Sequence, residues 1–219
     1  AEPLYHQTPQ LFTNFKVSSA EAAGNTSYFV DLNGSLWSVG YEDYGELGDA
    51  GQDHYANTPI KVVDGNVTTL SSLQHHLLYR DANGSLLGFG NGTHGRLGGG
   101  IQNTRTTPII LHDGNVTSFA AGSEYSAMVL SDGSLWTMGR NNLGQLGDVN
   151  SSNQLIPIQI VDANVTQSSL AVENGSTGSG PNGGSGGEAG WDFITNGFGS
   201  GCTTCSIPPE NHEWVGADG

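Results

Sequence analysis

The stretch running from Asn33 to Asp49, NGSLWSVGYEDYGELGD, decides how the chain is read. It joins a tight turn, an alternating apolar run and a glycine-punctuated loop. The pattern returns at Asn83 as NGSLLGFGNGTHGRLGG and at Asp132 as DGSLWTMGRNNLGQLGD. The first two copies lie 50 residues apart and the next two 49. Self-similarity at such a period dictates architecture before any single residue does. A second segment keeps the spacing: TPIKVVDGNV from Thr58, TPIILHDGNV from Thr107 and IPIQIVDANV from Ile156.

Four short strands can be placed in each copy. Val17 to Ala20 is a brief apolar start, and Tyr28-Phe29-Val30 is a second run. His76 to Tyr79 and Ala127 to Leu130 are the counterparts of that run. Asn33-Gly34, Asn83-Gly84 and Asp132-Gly133 read as two-residue hairpins, because Asn-Gly accepts positive φ. Leu36 to Val39 alternates with period two and is the return strand. Gly40, Gly45 and Gly48 then frame a loop pinned by Leu47, and Pro59-Ile60 opens the fourth strand. Four antiparallel strands per repeat make the blade of a propeller. The expected fold class is all-β: a propeller-like array of three such blades, four if a degenerate copy counts, with a Gly-rich C-terminal tail.

The expected organisation follows. Residues 1–16 end a preceding blade, and repeats occupy 17–66, 67–115 and 116–164, within a propeller region 1–165. Residues 166–190 form a Gly-rich linker, in which such composition behaves as a flexible tether. Residues 191–219 are a docking tail or degenerate blade, with Trp191, Phe193, Ile194, Phe198 and Trp214 as its apolar contacts.

The repeats, from the DGSLW-x-x-G turn and strand through GxLGD to the Pro-containing strand, resemble the regulator of chromosome condensation repeat family. The resemblance covers about residues 8–165. It implies a β-propeller and leaves function open. Family members include a nucleotide exchange factor, a plant photoreceptor and secreted bacterial inhibitors, and their propellers usually have seven blades. The exchange-factor loops find no match here. The photoreceptor branch uses clustered Trp and Arg. Trp37 and Trp136 lack neighbouring arginines in sequence, and Leu87 fills the middle copy, so they read as core packing.

Composition narrows the chemistry. The formal charge is −15, and the basic residues are Lys16, Lys61, Arg80, Arg96, Arg105 and Arg140. Nucleic acid binding needs clustered cations, and these are scattered. Anionic membrane surfaces are disfavoured for the same reason. No apolar run approaches the ~20 residues of a spanning helix. His75-His76 looks like a metal pair, but adjacent strand residues point to opposite faces. Gly88-Phe89-Gly90 precedes no helix and is no phosphate loop. No GxSxG elbow is present, and no catalytic residue is assigned. The expectation is a non-enzyme without cofactor. The carboxylates Glu42, Asp49, Asp53 and Asp148 could bind calcium, and solvated loops are the favoured alternative.

Cys202 and Cys205 are the only cysteines. A local disulfide is expected; a redox pair would need a βαβ context and zinc a second pair. Asn-x-Ser/Thr acceptors take nine of 18 asparagines: Asn25, Asn33, Asn66, Asn83, Asn91, Asn115, Asn150, Asn164 and Asn174. They favour a secreted or extracellular glycoprotein, although Asn is also a good turn residue. A start at Ala1-Glu2-Pro3 fits removal of a secretory signal; a cropped chain would look the same.

Two functions are expected. The first is a secreted structural subunit that binds copies of itself head to tail, as in an extracellular fibre. The alternative is a protein-binding propeller module presenting loops 40–57, 90–106 and 139–155 to a partner, such as another extracellular protein.

Overall fold

The computed structural model describes residues 16–51 and 54–161. Over these the chain is all-β, with three four-stranded antiparallel sheets. The first holds β1 (Val17–Ala23), β2 (Thr26–Asp31), β3 (Leu36–Tyr41) and β4 (Tyr55–Val63). The second holds β5 (Val67–Leu73), β6 (His76–Asp81), β7 (Leu86–Gly90) and β8 (Arg105–His112). The third holds β9 (Val116–Ala121), β10 (Tyr125–Leu130), β11 (Leu135–Gly139) and β12 (Gln154–Val161). Each sheet is a meander in chain order. The first strands of successive sheets touch, β1 with β5 and β5 with β9. The sheets therefore stack as propeller blades.

Strand alternation supplies each blade with two apolar faces. Tyr28, Val30 and Leu36 of the first blade pack on Leu77, Tyr79 and Phe89 of the second. Leu78 and Leu86, on the second blade's other face, pack on Met128 and Met138 of the third. Full burial of one such side chain contributes about 1.5–3 kcal/mol. The loop leucines Leu47, Leu97 and Leu146 are 0%, 1% and 0% exposed. They nail the glycine-framed loops to the sheets.

The Asn-Gly turns differ from the expected two-residue hairpin. β2 and β3 are joined through residues 32–35, and only Gly34 has positive φ, at 80°. Asp31 closes the loop instead: its Oδ1 accepts from the backbone N–H of Asn33 at 2.8 Å and of Ser35 at 3.0 Å. Asp81 does the same for Asn83 and Ser85. In the third copy Leu130 stands at that position, and Asp132 caps Ser134 from inside the turn. A carboxylate that satisfies two backbone donors makes the longer loop stable, so paired positive φ is not required.

Each first strand carries a one-residue bulge near its start. The extra residue is Ser18, Thr68 or Thr117. Its hydroxyl donates to the carbonyl of Val30, Arg80 or Val129, at 3.0, 3.0 and 3.1 Å. The bulge leaves a carbonyl outside the ladder, and a β-hydroxyl is the shortest donor that can return to it. Pro59, Pro108 and Pro157 sit where the β3–β4, β7–β8 and β11–β12 registers break. A residue without N–H costs no ladder bond there.

Candidate binding face

The β3–β4, β7–β8 and β11–β12 loops emerge at one end of the blades. All three share a skeleton. Gly45, Gly95 and Gly144 have φ of 74°, 86° and 76°. Gly48 and Gly98 also have positive φ, and a Cβ on Gly98 would meet the Met138 sulfur of the next blade at 2.3 Å. Glu42 and Asn141 are equivalent positions. Each is buried, and its side-chain oxygen accepts from the pin leucine's N–H, Leu47 or Leu146, at 3.0 Å. In the middle loop Asn91 takes over, accepting from Thr93 N–H at 2.8 Å.

In the first two loops the residue after the framing glycine latches the loop to the next blade; in the third, Gln145 accepts from Leu143 N–H within its own loop. Glu46 Oε1 meets His75 Nδ1 at 2.8 Å, while Oε2 accepts from the N–H of Asp43 and Tyr44. One repeat on, Arg96 occupies the same place. Its Nη1 donates to Ser123 O at 2.8 Å, and its Nη2 lies 3.7 Å from Glu124. His75 and Glu124 are themselves equivalent, each at the first hairpin of its blade. The carboxylate has changed sides and the contact is kept. Glu124 also pairs with Arg140. Burial raises the pKa of the Glu124 carboxyl, but the Arg140 hydrogen bond and the Arg140, His94 and Arg96 charges bring it below the usual range.

The loop tips differ where the skeleton does not. Just before the framing glycines stand Tyr44, His94 and Leu143. Tyr44 is 43% and Leu143 63% exposed. His94 is half-buried, with φ of 64°, and lies 3.5 Å from Glu124. Residues 40–55 hold five carboxylates and no Lys or Arg, whereas 90–105 hold two Arg and no carboxylate. A recurring frame of glycines and a pin leucine thus carries three tips of different chemistry.

The sequence-derived candidates fall as follows. His75 and His76 diverge: His75 pairs with Glu46, and His76 is fully buried with Nε2 3.0 Å from Ser126 Oγ. Among the described residues no group of three or more His, Cys, Asp or Glu is placed to hold a metal. The carboxylates considered for calcium serve their own loops: Asp49 accepts from Gly51 N–H, Asp148 from Asn141 and Gln154, and Glu42 from Leu47. Asp53 lies outside the described residues. Trp37 stacks on Phe29 at 6.5 Å, with Lys61 over its ring at 5.2 Å, and Trp136 packs in the second blade interface.

Asn25, Asn33, Asn66, Asn83, Asn115 and Asn150 are exposed. Asn91 is 7% exposed, and its Oδ1 accepts from Thr93 N–H. The recurrence of the acceptors has a backbone cause. In Asn66-Val67-Thr68 and Asn115-Val116-Thr117, the Asn takes φ of 70° or 62°, the Val is buried, and the Thr fills the bulge. Asn164, Asn174, Cys202, Cys205 and the tail residues Trp191, Phe193, Ile194, Phe198 and Trp214 lie outside the described residues. The latch residues and the exposed tyrosines Tyr41, Tyr44 and Tyr55 were not singled out from the sequence. The available signal was a polar position in one repeat paired with a turn position in the next.

A groove of about 520 Å³ runs along β1 and β2, lined by Val17, Ala20, Glu21, Ala22, Ser27, Tyr28 and Phe29. It presents mainly carbon, and burial raises the pKa of its one carboxyl, Glu21.

Comparison with known proteins agrees with this architecture. The regulator of chromosome condensation (RCC1) repeat profile matches residues 83–129 and 132–178, and a second profile of the same description matches 116–145. No curated protein sequence matches the chain. Among solved structures, human WBSCR16 superposes with a TM-score of 0.60 at 23% identity, over 69% of this chain and 39% of that one. Yeast RCC1 (Prp20), crystallised bound to Kap60, superposes at 0.59 and 19% identity, over 67% of this chain and 37% of its own. A second structure of Prp20p from Saccharomyces cerevisiae, whose description names binding to Gsp1p and histones, gives 0.59 at 18% identity, over 67% and 38%. The chain thus spans about two fifths of the length of these structures.

Proposed function

The chain carries RCC1 repeats over residues 83–178, and from that premise we propose that it is a protein-binding module whose rim loops engage a partner. One observation carries this: Tyr44, His94 and Leu143 are three different side chains at one position of a loop whose glycines and pin leucine recur. Tyr44 and Leu143 are exposed, unlike the pin leucines Leu47, Leu97 and Leu146, which are buried and recur in each copy. Rigid scaffolds that present variable loops are a recurrent design for recognition. The structures it resembles include one solved with Kap60 and one described as binding Gsp1p and histones; those partners are theirs. The proposal is a non-enzymatic one.

The self-assembling fibre subunit expected from the repeat count finds no support. That expectation rested on three blades being too few to close, together with the Gly-rich tether and the glycosylation acceptors. A chain spanning 39% of a similar structure's length gives its own repeat count no bearing on closure.

The test is partner capture followed by alanine substitution of Tyr44, His94 and Leu143. The expected result is a loss of roughly tenfold in affinity for at least one tip, the usual size for a hot-spot side chain. Lys61→Ala, on the strand side of the first blade, is the control. Tip variants that capture the partner as well as the parent chain, with loss only at Lys61, would refute the proposal.

A further inference from the structure

We infer that the tip of the first blade is a docking site for an arginine- or lysine-bearing peptide segment of the partner, gripped by Tyr41, Tyr44 and Tyr55 beside Asp43. This rests on the binding-module reading and names the chemistry of its partner.

The aromatic part comes first. Tyr41, Tyr44 and Tyr55 are 43%, 43% and 61% exposed. Tyr41 and Tyr55 are register partners across β3 and β4, so their side chains leave the same face of the sheet. The Tyr41 hydroxyl donates to Asp43 Oδ1 at 2.7 Å, which holds an exposed carboxylate beside that pair, one residue before Tyr44. Tyr44 is held edge-on to His75, with ring centres 5.2 Å apart. Its backbone N–H is fixed by Glu46 at 2.6 Å. These rings are held by a strand pairing, a carboxylate and a latch, so little ordering cost remains for binding. Exposed, pre-ordered tyrosine faces attract a cation through the ring quadrupole.

Charge decides which occupant fits. Residues 40–55 carry five carboxylates and no Lys or Arg. Like-charge crowding is felt inside the loop: burial raises the pKa of Glu42, with Asp49 and Glu46 pushing the same way. The whole chain is at −15, so a basic segment is steered toward it. The second tip has the opposite balance, with Arg96 and Arg105. A cationic segment is therefore directed to the first blade rather than spread over the rim.

The probe is an acetylated, amidated peptide of alternating Gly and Arg, titrated into the full chain by calorimetry, with Lys and Glu counterparts. Saturable binding of the Arg and Lys peptides but not the Glu peptide is expected. Tyr44→Ala and Tyr55→Ala should each weaken it by roughly fivefold, the scale of one cation–π contact. Asp64→Asn removes a carboxylate at the other end of the same sheet and should change nothing. No binding, or equal binding by the tyrosine variants, overturns the inference. A library of random dodecapeptides separates it from its premise. Binders that need the tips but lack Arg and Lys leave the module reading standing and sink this one. A library with no tip-dependent binder removes both.

Discussion

His76 shows how two neighbours settle one side chain's proton. Ser126 Oγ donates its only hydrogen to Arg96 O at 2.7 Å, so it must accept from His76. His76 therefore carries hydrogen on Nε2. Burial pushes its pKa down to about 3, helped by the Arg96 and His75 charges. The unfolded chain takes up that proton near pH 6.5, and the folded chain does so only near 3. The unfolded state thus binds more protons between those values, and stability falls as pH drops through that window. Urea midpoints followed over the window should show the decline. His76→Gln keeps an N–H donor for Ser126 but does not titrate, and its decline should be shallower. An unchanged slope would show that other groups set it.

Single positions also explain the glycosylation acceptors. Asn66, Val67 and Thr68 each answer a separate demand of backbone or core: positive φ, burial and a bulge hydroxyl. The tripeptide is what those demands spell. Enrichment of such acceptors in this repeat is therefore no independent sign of a secretory route.

Strands and loops are where the repeat is enforced. Gly98 has φ of 61° and faces Met138 and Pro157 of the next blade. Gly98→Ala adds left-handed strain and overpacks that contact, together about 2–4 kcal/mol. A thermal melt should show the loss, and a variant as stable as the parent would mean the loop shifts freely. The latch is a stronger test of inter-blade coupling. Arg96 is 3% exposed, and removing Glu124 strips its carboxylate partner from a buried cation. Glu124→Gln should destabilise by about 3 kcal/mol or less, given the two carbonyls that Arg96 keeps. Arg96→Met with Glu124→Gln should recover part of that loss. A double variant no better than the sum would show that the pair is not coupled.

Across the three blades the interfaces are apolar and the rim is polar and varied. The two apolar interfaces, one built round Phe89 and the other round Met138, set the blades side by side and so bring the tips to one end. Removing the pin Leu97 should cost about 2–5 kcal/mol and blur the rim with it. Loss of partner capture in Leu97→Ala would then accompany a lowered melting point. Tip variants should lose capture with the melting point intact. That contrast in calorimetry separates a folding position from a recognition position.

Much of this architecture was legible in the chain because it repeats. NGSLWSVG and its copies place the return strands, GELGD and its copies place the glycine frame and pin leucine, and the Pro-bearing segments place the outer strands. Period-two alternation and glycine punctuation are local properties, and local sequence carries them. Turn length was not legible, because it depends on the Asp31 carboxylate reaching across its own loop. The latches were not legible either, since Glu46–His75 and Arg96–Glu124 join residues 29 and 28 apart on different blades. Nor were the tyrosines of the first tip, because a strand register and a latch set their exposure and grouping. Repetition in the sequence specified the blade. Only packing one blade on the next decided which of its polar residues hold the fold and which are left to meet a partner.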